Sequence, residues 1–139
     1  MNYLHSPAML FAGWHLAVWI IAIVVFILYL ITLMNTLNAI SPANRRMTPG
    51  LVFLLLIPLF NLIWNFIVVT KIRDSLQAEF SARNLPGQGF GYGVGLAMCI
   101  LYIVAIIPLI NLLAAPAALV CWIIYWVQIA GYKGQLSKA

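Results

Sequence analysis

Few side chains in this sequence can do chemistry. Its 139 residues include two acids, Asp74 and Glu79, two histidines, His5 and His15, and two cysteines, Cys99 and Cys121. Both acids lie in one segment after Thr70, and no Ser, His and Asp set, carboxylate pair or Cys and His cluster can be assembled. Hydrolytic and group-transfer chemistry therefore lacks its acid or base, and the chain is expected not to be an enzyme. The cysteines have no partner at metal-ligand spacing and fall in apolar stretches, where a thiol behaves as a small hydrophobe. No metal and no disulfide is expected. His15 stands between Trp14 and Leu16 in a long apolar run. A neutral imidazole there could ligate a haem-like cofactor, but near the start of a helix His and Trp also serve as interfacial anchors. No cofactor is assigned.

The composition explains this poverty. Hydrophobic residues make up 65% of the chain and charged residues 6%, whereas a soluble domain carries roughly a quarter charged residues. The sequence reads as an all-α integral membrane protein, a single transmembrane helical domain over residues 1–139. Nine charges leave three charge-free runs, 1–44, 47–70 and 84–132, of 44, 24 and 49 residues. With about 20 apolar residues per crossing, the simplest sum is four transmembrane helices, near Met9 to Leu37, Pro49 to Thr70, Val94 to Asn111 and Pro116 to Ala130. The amino end has no basic region ahead of its apolar stretch, so a cleaved signal peptide is not expected.

An internal repeat complicates that sum. Ile57-Pro58-Leu59-Phe60-Asn61-Leu62 returns as Ile107-Pro108-Leu109-Ile110-Asn111-Leu112, with five of six positions identical. Proline donates no backbone bond and displaces the carbonyl four residues earlier, here Leu54 and Val104. An asparagine just beyond can supply an amide to a freed carbonyl or to a neighbouring helix. Pro58, Asn61, Asn65, Pro108 and Asn111 are thus the expected sites of helix breaking and polar packing. The second copy suits a hairpin tip completed by Pro116. If the first copy does the same, residues 49–70 enter and leave on one side, giving three spans plus a re-entrant hairpin. Four spans divide the seven basic residues five to two; the re-entrant alternative puts all seven on one side, as the positive-inside rule favours.

The +5 net charge lies in short loops. Arg45, Arg46, Lys71, Arg73 and Arg83 are expected to meet anionic headgroups, and no nucleic-acid partner is needed. Residues 71–90 read as an amphipathic interfacial helix followed by a Gly-rich linker. Ile72, Leu76 and Phe80 share a face, and Glu79 is placed to pair with Arg83. The alternating Gly87, Gly89, Gly91, Gly93 and Gly95 follow no strand, as a nucleotide loop requires, and follow too many charges for a channel filter. Gly91 and Gly95 instead suit a close helix contact.

Met47-Thr48-Pro49-Gly50, the Pro58-x-x-Asn61-Leu62 core and the charged exit Lys71-Ile72-Arg73 resemble a pattern in small bacterial multi-pass membrane proteins of unknown function. The likeness covers residues 47–73. It implies a bacterial cytoplasmic (inner) membrane location and brings no activity with it.

The function expected from these features is that of a non-catalytic accessory or assembly subunit, packing against other membrane subunits or its own copies in a larger complex. The alternative is a small homo-oligomeric channel or transporter with a polar site at the Pro-x-x-Asn breaks. Cysteines at Ala43 and Ser81, in a background lacking Cys99 and Cys121, separate the two topologies through an impermeant maleimide. Labelling from opposite sides is the four-span outcome, and labelling from one side the re-entrant outcome.

Overall fold

A computed structural model describes residues 6–139. Every regular element among them is helical: α1 (Pro7–Asn38), a 3-10 helix (Pro49–Leu56), α2 (Pro58–Ala82), α3 (Tyr92–Val104) and α4 (Pro108–Lys138). The chain divides into two compact units at Ile31 and Thr32. The first is the greater part of α1, begun by Ser6 capping the Met9 N–H with Pro7 in the first turn, where its missing donor costs nothing. From Pro7 to Val24 every side chain is exposed. Two helices, α1 and α4, are long and apolar enough to cross a membrane, which points to membrane association.

The second unit, Thr32–Ala139, holds two helical hairpins. Residues 49–70 are not the single helix that four spans require. The 3-10 helix stops at Leu56, Ile57 is extended at φ −84° and ψ 113°, and α2 begins at Pro58. The indole Nε1 of Trp64 donates to the Leu51 carbonyl at 2.9 Å. Those residues stand almost equally far before and after Pro58, so the two arms fold back on each other. The repeat does the same once more: Ile107 is extended at φ −79° and ψ 117°, and α4 begins at Pro108.

Two sequence expectations are corrected here. Leu54 and Val104 are not left as unpaired acceptors, because each carbonyl takes the N–H of the residue three further on, Ile57 and Ile107, at 3.1 Å. Pro58 and Pro108 break the apolar runs by starting helices; proline is pre-organised for the first helical position and loses no bond there. Pro116 does not complete a turn but lies inside α4, so the last two helices run over Tyr92–Val104 and Pro108–Lys138 rather than 94–111 and 116–130.

Glycines set how closely the hairpins pack. A Cβ on Gly95 would lie 2.6 Å from a Val69 methyl and 3.0 Å from the Tyr125 ring, and one on Gly91 would lie 3.2 Å from that same ring. Gly91 and Gly95 therefore form one small face that admits α4, with α2 against it at Gly95. Gly93, one residue from either, has nothing within 4 Å. Gly95→Leu should cost about 1–3 kcal/mol through overpacking and lower the melting temperature in detergent, whereas Gly93→Ala should hold or raise it; a melt of the two variants beside the parent checks both.

Candidate functional site

The densest polar structure is the end of α2 with the 41–48 loop. Glu79 is 0% exposed, a costly place for a carboxylate unless its oxygens are met. They are. Ser41 Oγ donates to Oε1 at 2.7 Å and Asn44 Nδ2 to Oε2 at 2.7 Å. From the next turn, Arg83 Nε donates to Oε1 at 2.7 Å and its Nη2 lies 2.6 Å away, the pairing that the i, i+4 spacing predicts. Arg83 Nη1 also donates to the Leu136 carbonyl at 3.1 Å, so one carboxylate fastens the loop, α2 and the end of α4 together. Three further bonds fix the loop. Arg45 donates to the Leu37 carbonyl at 2.8 Å and the Ile40 carbonyl at 3.0 Å, covering the open acceptors at the end of α1. The Arg46 N–H donates to Ser75 Oγ at 2.9 Å.

Burial alone would raise the Glu79 carboxyl, but the donors from Asn44, Ser41 and Arg83 outweigh it and hold it at about 2. A group so acidic and so enclosed is a structural anion, not a general base.

The five basic residues assigned to headgroups divide. Arg45 and Arg83 are committed to internal bonds. Arg73 lies 3.0 Å from Asp74, and its guanidinium rests 4.5 Å above the Tyr92 ring. Arg46 and Lys71 have exposed side chains. The apolar stripe Ile72, Leu76 and Phe80 is buried in protein. Phe80 meets Phe90 at 5.1 Å and Tyr132 at 5.7 Å between ring centres. A cleft of about 310 Å3 opens beside this cluster, lined by Arg73, Gln77, Gln88 and Tyr92 among others, and one of about 320 Å3 lies at Arg45, Arg46 and Thr48.

The asparagines do not converge. Asn65 is buried with its Oδ1 unpartnered, Asn61 is half-buried at the first tip and Asn111 is exposed at the second. Neither cleft is lined by any of them. His15 is exposed on α1, and His5 falls outside the described residues. Among the described residues no group of three His, Cys, Asp or Glu could hold a metal. Sequence reasoning missed Ser41 and Asn44, the two loop donors to Glu79; Ser41-Pro42 and the short polar Asn44 signal only a turn. No protein-family model, curated protein or solved structure matches the chain.

The Glu79 node has a pH signature. Its folded-state value of about 2 lies below the ordinary 4.5, so its stabilisation is complete above about pH 5 and is lost as pH falls through 4.5 towards 2. The shift corresponds to about 3 kcal/mol. A detergent melt of the parent should drop across that window. Glu79→Gln should start less stable and show a flatter profile; an unchanged profile would remove the node from the account of stability.

Proposed function

We propose that this chain is a non-catalytic integral membrane protein of a bacterial inner membrane that acts by packing against other membrane subunits, as an accessory or assembly component. The observation that carries the reading is α1. From Pro7 to Val24 its side chains are exposed all round, and they include Leu10, Phe11, Trp14, Trp19 and Ile20, each at least 60% exposed. A helix apolar on every side belongs in lipid or against other helices. Gly13 and Ala17, four apart, would let a neighbouring helix approach closely, and a Cβ at Gly13 would meet nothing within 4 Å. The remaining polar groups support this reading, since the best-formed cluster, at Glu79, spends its donors internally.

In this reading residues 49–70 enter and leave the membrane on one side. All seven basic residues then share the cytoplasmic side, where Arg46 and Lys71 meet anionic headgroups and Arg45 and Arg83 hold the fold.

The test is purification from native membranes in mild detergent, with sizing and mass spectrometry of what co-migrates. The parent should run in fixed stoichiometry with other membrane chains. Gly13→Ile should keep its melting temperature, because a Cβ there meets nothing within 4 Å, yet lose several-fold of the co-migrating material. A parent that runs alone, as a monomer or as a homo-oligomer, sinks the reading.

A further inference from the structure

Four features of the second hairpin matter together. Its turn carries no polar side chain from Ile103 to Ile110, although connections that face water are built from polar, Gly and Asn residues. The side chains there are nonetheless bare: Ile106 is 62% exposed, Leu109 92%, Leu112 82% and Leu113 78%. Part of the turn backbone is paired within the turn. The Ile106 and Ile107 N–H groups donate to Ile103 and Val104, the Ile110 and Asn111 N–H groups donate to Ile107, and Pro108 has no N–H to satisfy. Finally, the shorter arm α3 has 13 residues, about 20 Å of helix at 1.5 Å per residue, against roughly 30 Å of hydrocarbon.

The first hairpin repeats these features, with the Ile57 N–H donating to Leu54 and the Asn61 N–H to Ile57. Residues 51–60 carry no polar side chain and Leu59 is 84% exposed. Its shorter arm is the eight-residue 3-10 helix, about 16 Å at 2.0 Å per residue. Both bases carry the charges: Arg45, Arg46, Lys71 and Arg73 at the first, Arg83 and Lys133 at the second.

We infer that both hairpins, not only the first, dip into the bilayer from the charged side and that both Ile-Pro tips end among acyl chains without reaching water on the other side. The inference rests on the membrane reading above and goes beyond it by making the α3 and α4 hairpin re-entrant as well, leaving α1 as the one crossing. α4 alone is long enough to cross, but it shares the turn at Ile107 with the shorter α3, and that turn presents only apolar side chains. The surface so defined is the set of tip side chains, Leu59 and Phe60 with Leu109 and Leu112, and its partner is the lipid acyl chain.

Single cysteines at Leu59, Leu109 and Ser137 in a Cys99→Ala, Cys121→Ala background test it, in sealed vesicles of known orientation. Ser137→Cys should react with an impermeant maleimide from the charged side. Leu59→Cys and Leu109→Cys should react from neither side until detergent is added, and an environment-sensitive label at each should be quenched at least two-fold more by a quencher deep on the acyl chain than by one at the headgroup. Reaction of Leu109→Cys from the side opposite Ser137 overturns the inference and leaves the membrane reading standing. Reaction of both tip cysteines in a chain that does not sediment with membranes overturns both.

Discussion

A carboxylate removed from water must be surrounded by donors, and the base of this protein is arranged to meet that requirement at Glu79. Ser41 and Asn44 come from the loop after α1 and Arg83 from the end of α2, while Arg83 reaches the last turns of α4 through the Leu136 carbonyl. Elsewhere the second unit is held mostly by apolar contact, which is non-directional and does little to fix register. The ion-centred node supplies direction: Glu79 fastens the 41–48 loop, and Arg45 and Arg46 fall where they close the end of α1 and bind Ser75.

Charges and proline were the legible parts of the sequence. The charge-free runs located the apolar elements, and α1 was expected over Met9 to Leu37 and found over Pro7–Asn38. The repeat marked both helix breaks, the first as a turn only in the re-entrant alternative, and the spacing of Gly91 and Gly95 foretold a close helix contact. The geometry of the breaks was less legible, because proline inside an apolar run can kink a helix or start one. Whether it kinks or starts a helix depends on the residue before it leaving helical geometry, as Ile57 and Ile107 do, and nothing in their side chains announces that. The 3-10 geometry of Pro49–Leu56 was equally silent, its composition being that of an ordinary apolar helix. Ser41 and Asn44 escaped because their partner lies 38 and 35 residues away, and short polar residues in a loop carry no signal of a distant acceptor.

The clustering of committed arginines also alters what net charge means here. An excess of positive charge beside apolar helices invites a reading of headgroup binding, yet Arg45 and Arg83 are engaged with carbonyls and a carboxylate, and Arg73 with Asp74 and Tyr92. In Arg the planar fork suits such bidentate and stacked roles, which Lys71 with its compact ammonium does not share.

The loop before α3 places Gly89, Phe90 and Gly91 in succession at positive φ, at 71°, 46° and 72°. For phenylalanine that backbone region is unfavourable, and the ring that offsets it is gripped by Phe80 and Tyr132. Those two side chains come from the elements on either side of the loop, one made before it and one after. The reversal of direction that launches α3 is thus stable only once the later arm has returned. Because Tyr132 is the last of these rings to be synthesised, the turn at Phe90 gains the second half of its aromatic grip only when the far end of α4 has been made.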